Sequence, residues 1–193
     1  MSKPSQAIDH RRIQVRRSGV HGKGVFALQD LAEGEALIEY IGEIINWAEA
    51  ERRHPHDPLQ PNHTFYFHID AERVIDARYG GNASRWINHS CAPNCEADAV
   101  DGRVFIRALR PILRGEELNY DYGLVIDIPL TPELKADHAC WCGAPTCRGT
   151  MLASTDDDKK SKKNKKKKDK KKGRKAKDKR REQRRKSKST DQG

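Results

Sequence analysis

Three cysteines fall in one short stretch, Cys140-Trp141-Cys142-Gly143-Ala144-Pro145-Thr146-Cys147. A structural zinc takes four tetrahedral ligands, mostly thiolates or imidazoles, so the C-x-C-x4-C spacing supplies three of them. The fourth must come from elsewhere, and Cys91, Cys95 and His138 are the candidates. A second polar group is Asn88-His89-Ser90-Cys91-Ala92-Pro93-Asn94-Cys95, which alone reads as a polar turn. A third is Glu116-Glu117-Leu118-Asn119-Tyr120-Asp121-Tyr122-Gly123. If extended, it points Tyr120 and Tyr122 to the same face, and alone the pair reads as packing on a sheet.

The segments between these groups read mostly as short strands. Arg12–Arg16 alternates like a half-buried strand, and the glycine-rich turn Ser18-Gly19-Val20-His21-Gly22-Lys23-Gly24 follows it. Val25–Leu28, Ala36–Ile41, Phe65–Ile69, Arg73–Asp76 and Arg103–Ile106 are further strands. One helix signal is strong. Asn46 caps the run to Arg53, Glu49 takes the capping-box position, and the basic residues fall in the last turn. Pro55, Pro58 and Pro61 end it in a loop. A second short helix covers Ala83–Trp86. The fold class is mostly β with short helices.

Composition divides the chain. It has 193 residues and a net charge of +10. From Asp156 onward there are 21 Lys and Arg against 7 Asp and Glu, so the rest of the chain is mildly acidic at −4. Ala176 is the only hydrophobic residue of that tail, which therefore has no core to bury and is expected to be disordered. No apolar run approaches the ~20 residues of a membrane span, and no signal peptide is visible. The cysteines then read as reduced thiols or metal ligands.

Taken in order, five motifs resemble the SET-domain protein lysine methyltransferases with a post-SET zinc segment. They are His21–Phe26, Glu39–Glu43, Arg85–Cys95, Gly115–Tyr122 and the cysteine knuckle closing in Cys147-Arg148-Gly149. The likeness covers residues 11–152. It divides the chain into an N-terminal extension (1–10), a SET domain (11–135), a post-SET segment (136–153) and the basic tail (154–193). With no cysteine-rich segment before the domain, the chain is similar to compact bacterial SET proteins.

The resemblance implies small curved sheets around a threaded, knot-like core in which the Asn-His-Ser-Cys and Tyr-Asp-Tyr segments meet. It implies S-adenosylmethionine as cofactor, entering opposite the target lysine. His21, Gly22, Lys23 and Gly24 line the cofactor site, Asn88 and His89 bind there, Phe65 joins them, and Trp141 contacts the adenine side. Cys91 becomes the fourth zinc ligand beside Cys140, Cys142 and Cys147, leaving Cys95 as a packed residue. Tyr122 takes the catalytic position, Tyr40 is a second channel tyrosine, and Tyr120 holds the position that influences methyl number. Phe65 replaces a tyrosine of trithorax-type relatives, Trp86 a phenylalanine and Asn119 a threonine.

The expected activity is methyl transfer to a lysine of a histone, histone-like or other basic protein, by a monomer without membrane contact. The competing reading is an inactive SET-fold module that binds chromatin or nucleoid. The tail lacks aromatics, so its expected partner is DNA or RNA through phosphates, without sequence preference. The expected place is cytoplasm or nucleoid in a bacterium, or the nucleus in a eukaryote.

Overall fold

A computed structural model describes residues 10–54, 64–126 and 128–153. The expectations for the proline loop and the basic tail lie outside these residues. The chain divides into two compact units, Met1–Leu152 and Ala153–Gly193, and the described elements all lie in the first. Its elements, in chain order, are β1 (Ile13–Arg17), β2 (Lys23–Ala27), β3 (Ala36–Tyr40), β4 (Glu43–Asn46), α1 (Trp47–Arg53), β5 (Tyr66–His68) and β6 (Arg73–Asp76). They continue with β7 (Asn88–His89), β8 (Cys95–Val100), β9 (Arg103–Ala108), β10 (Glu117–Tyr120) and α2 (Pro132–Asp137). The segment Ala83–Trp86 is a 3-10 turn, capped by Asn82. Among the described residues no helix is long and apolar enough to cross a membrane.

The larger sheet runs β1-β2-β10-β8-β9-β3, with β7 beside β10. Its core is made by alternate residues of neighbouring strands. Val25 of β2 lies opposite Leu118 of β10, and both are fully buried with Ile38, Ile106 and Ile87. Two short parallel pairings set the centre of the molecule. Asn119 and Tyr120 pair with Asn88 and His89, and Tyr120 also pairs with Cys95. The Ser90 N–H donates to the Tyr120 carbonyl at 3.1 Å. The two segments that the resemblance brings together therefore meet on β10.

The strand over Cys95–Val100 has no counterpart in the sequence reading. Its composition, Cys-Glu-Ala-Asp-Ala-Val, is poor in strand formers. A tight hairpin overrides that preference. Asp101 and Gly102 both have positive φ, 52° and 75°, as a two-residue primed turn requires. Six residue pairs then register from Cys95↔Ala108 to Val100↔Arg103. The Asp-Gly dipeptide was the local signal for this strand.

The smaller sheet, β4-β6-β5, carries α1 on one side. The Asn46 side chain accepts from the Glu49 N–H at 2.9 Å, as the capping pattern predicts. Arg53, at the other end of α1, reaches Glu43 and the fully buried Asp76, both at 2.9 Å. Arg53→Met takes away the guanidinium that faces a buried carboxylate and should lower the urea midpoint. Urea unfolding measures it, and a midpoint shift no larger than that of an exposed pair would show that the Arg53–Asp76 contact contributes little to stability.

Candidate active site

The site is assembled around β10. The glycine-rich turn between β1 and β2 closes with the Ser18 N–H donating to the Gly22 carbonyl at 3.0 Å, where Gly22 takes a φ of 48°. Glu117 holds this turn from below. The Ser18 hydroxyl lies 2.8 and 2.9 Å from its two carboxylate oxygens. A Cβ at Gly24 would run into the same carboxylate, so glycine leaves the room in which Glu117 sits against the turn. The Asn88 amide nitrogen donates to Glu117 Oε1 at 2.7 Å and to the Lys23 carbonyl at 2.9 Å, with the His21 carbonyl farther off at 3.3 Å. The residues His21 to Gly24 and Asn88, expected together at one site, are therefore physically tied. Glu117, which ties them, had no role in the sequence reading. Its only sequence signal was a carboxylate inside the third motif.

Tyr40, Tyr120 and Tyr122 come together with Phe67, which the sequence reading did not select. Ring centroids lie 5.1 Å apart for Tyr40–Phe67, 6.3 Å for Phe67–Tyr120 and 4.9 Å for Tyr120–Tyr122. The Tyr122 hydroxyl donates to the Ile87 carbonyl at 2.8 Å, and the Tyr40 hydroxyl to the Phe65 carbonyl at 3.2 Å. Burial pushes all three phenols above their ordinary pKa. They stay neutral at physiological pH and do not act as bases. The hydroxyl protons of Tyr122 and Tyr40 point at fixed carbonyls, so the oxygen lone pairs of these two remain available to accept. Phe65 contributes its main chain to this array, while its ring stands edge-on to Trp86 at 5.0 Å. The Lys23 ammonium lies over Trp86, 4.5 Å from the ring centroid.

His89 joins this array to the cysteines. Its Nδ1 accepts from the Tyr122 N–H at 3.0 Å. A main-chain N–H is always a donor, so the ring proton sits on Nε2, which faces Cys91 Sγ at 3.4 Å. Burial lowers the His89 pKa to about 4, with the Asp121 carboxylate opposing, so the ring is neutral near pH 7. The ring is turned inward and connects Tyr122 to Cys91.

The sulfurs of Cys91, Cys140, Cys142 and Cys147 all lie within 4.8 Å of one another. Cys91 Sγ is 3.7 Å from Cys140 Sγ and 3.9 Å from Cys147 Sγ. Four sulfurs at about 2.3 Å from a tetrahedral zinc lie about 3.8 Å apart, so the geometry fits that ion. Main-chain N–H groups of Arg148 and Gly149 point at Cys91 Sγ and Cys147 Sγ, each at 3.3 Å, and favour thiolates. The other two candidates are engaged elsewhere. His138 Nδ1 faces the Leu134 carbonyl at 3.0 Å. Cys95 is fully buried in the main core, and burial raises its thiol pKa to about 12.

The knuckle is fastened to the sheet by Asp121, which Arg148 grips at 2.6 and 2.7 Å. Leu124 adds an N–H bond to the Met151 carbonyl at 3.2 Å. Trp141 stands on the knuckle 75% exposed. A cleft of about 400 Å³ opens beside the phenols, lined by Phe67, Pro93, Leu109, Tyr120 and Tyr122, with Glu96 also on its wall.

A strand-bordered glycine turn, an Asn-His pair parallel to a Tyr-Asp-Tyr strand end, and a four-cysteine knuckle define the architecture. The SET domain family model matches residues 22–123. The chain belongs to the SET-domain family. It is 38% identical over 143 residues to "Histone-lysine N-methyltransferase trr" of Drosophila melanogaster, covering 72% of this chain and 6% of that protein. It is 42% identical over 139 residues to "Histone-lysine N-methyltransferase, H3 lysine-4 specific" of Schizosaccharomyces pombe, covering 69% and 14%. With "Histone-lysine N-methyltransferase TRX1" of Oryza sativa subsp. japonica it shares 38% over 155 residues, covering 77% and 14%. The chain thus spans 14% or less of the length of these relatives.

Proposed function

We propose that the chain is a protein-lysine N-methyltransferase that uses S-adenosylmethionine and acts on a histone, histone-like or other basic protein. The observation that carries this reading is the Tyr122 phenol, neutral, half-buried and hydrogen-bonded to the Ile87 carbonyl within a ring of aromatic side chains. When bound, the sulfonium supplies an activated methyl carbon. The residues of this chain prepare the amine.

A lysine ammonium, with a pKa near 10.4 in water, has no lone pair to donate. The apolar walls offered by Phe67 and the neutral phenols disfavour its charged form, so it sheds a proton to solvent on entry. The amine then aligns with its target carbon, held by the acceptor lone pairs of Tyr122 and Tyr40. That orientation would direct the amine lone pair at the methyl group the cofactor would supply, with Tyr122 and Tyr40 holding the amine in line. The pinned turn at His21 to Gly24, with Asn88 and Phe65, forms the cofactor side. Trp141 covers the adenine. Cys91, Cys140, Cys142 and Cys147 hold one structural zinc.

Labelled cofactor, purified zinc-loaded protein and core histones test this directly. Methyl-lysine in the protein hydrolysate is the expected result. A folded, cofactor-binding protein that labels no basic protein would overturn the proposal.

Tyr120 governs how many methyl groups fit. It is buried beside Tyr122, where its hydroxyl can anchor a water that narrows the channel. Tyr120→Phe should shift product masses toward higher methylation, read by mass spectrometry, and unchanged products would remove that role from Tyr120.

The basic tail binds nucleic acid through phosphates. Its affinity for duplex DNA should fall with salt, with a log–log slope of about −0.9 per phosphate neutralised. A chain ending at Ser154 should lose this binding, and equal DNA affinity with and without the tail would refute it.

A further inference from the structure

The cleft beside the phenols carries two carboxylates, and their surroundings differ. Asp121 is gripped on both oxygens by Arg148. Glu96 is exposed on β8 and borders the same cleft as Tyr120 and Tyr122. Its partner across the strand pair is Arg107, and opposite charges in that position normally pair. Here Arg107 turns away. Its Nε donates to Asp98 at 2.9 Å and its Nη1 to the Gly34 carbonyl at 3.5 Å. Among the described residues no ion pair engages Glu96, which borders the cleft as an exposed carboxylate.

We infer that Glu96 is a specificity residue that reads a basic side chain beside the target lysine, so the cleft prefers Lys- or Arg-flanked lysines to isolated ones. The inference deepens the methyltransferase reading and rests on it for the identity of the target. In an extended peptide, residues two apart face the same way, about 7 Å apart. With the target lysine directed toward Tyr122, a flanking residue on that face passes along the cleft wall. The walls supplied by Pro93, Leu109 and Phe67 are apolar, which concentrates the field of a lone carboxylate. A basic neighbour is attracted there, and an acidic one is repelled.

Two peptides of equal length test this with the full chain. Each has one lysine, flanked in one peptide by arginines and in the other by glutamines. At low salt the wild type should prefer the arginine peptide in kcat/KM by about fivefold, the scale of one solvent-exposed ion pair. Glu96→Gln should bring that ratio close to one, and Glu96→Lys should reverse it. Raising salt should erode the wild-type preference. Ratios that are the same in wild type and both variants, with folding confirmed by circular dichroism, would overturn the inference. Peptide binding by fluorescence anisotropy separates the two claims. Glu96-dependent binding of the arginine peptide with no turnover would sink the activity and support the cleft assignment. Turnover without Glu96 dependence would do the opposite.

Discussion

Tyr122→Phe should lower kcat by about a hundredfold or more, the scale seen when one preorganised polar group is removed from a reacting centre. The fold should survive, because the ring keeps its place against Tyr120 and His89. What disappears is the hydroxyl whose proton is anchored on the Ile87 carbonyl. Because that phenol is pushed above its ordinary pKa by burial, it is lost as an orienting acceptor and not as a base. The wild-type pH profile should therefore rise toward alkaline pH with the amine, and show no limb owed to Tyr122. Single-turnover methylation of a peptide measures the loss. Activity within a few-fold of wild type would remove Tyr122 from the reacting centre.

Cys142→Ser should cost zinc occupancy and cofactor affinity together. Structural zinc sites contribute on the order of 10 kcal/mol to the segments they organise. Here the segment is short, and three of the four sulfurs lie within it. Its other fastenings are the Asp121–Arg148 pair and the Leu124–Met151 bond. Hydrogen exchange should speed up over residues 138–152 while the β8–β9 pairing keeps its protection. Elemental analysis that still finds one zinc per chain would reject the ligand assignment. The damage should also reach the phenols. Cys91 is bonded to His89, and His89 accepts from the Tyr122 main chain. Metal loss should therefore loosen the support behind Tyr122.

Several elements around the site are legible in the sequence, for reasons that are local. The capped helix at Asn46 follows from side-chain bonding to the nearest main chain, and it is observed as expected. The strand alternation at Arg103–Ile106 is observed with one face buried. Tyr120 and Tyr122 do come together, their ring centroids 4.9 Å apart, although β10 ends at Tyr120 and strand alternation alone does not carry Tyr122 there.

Other features depend on distances through space, which spacing along the chain does not encode. By spacing alone Cys91, Cys95 and His138 were all candidates for the fourth ligand, and the family resemblance singled out Cys91. Only folding brings Cys91 to Cys140 across 49 residues, buries Cys95 in the core and turns His138 to the Leu134 carbonyl. Phe67 was one aromatic among several until β5 placed it against Tyr40. Glu117 reads as an ordinary strand carboxylate until β2 and β10 lie side by side and its oxygens meet Ser18, 99 positions away. The residue types thus determined which chemistry was available. Strand pairing decided which of those residues share it, because only pairing converts distant positions into neighbours within hydrogen-bond reach.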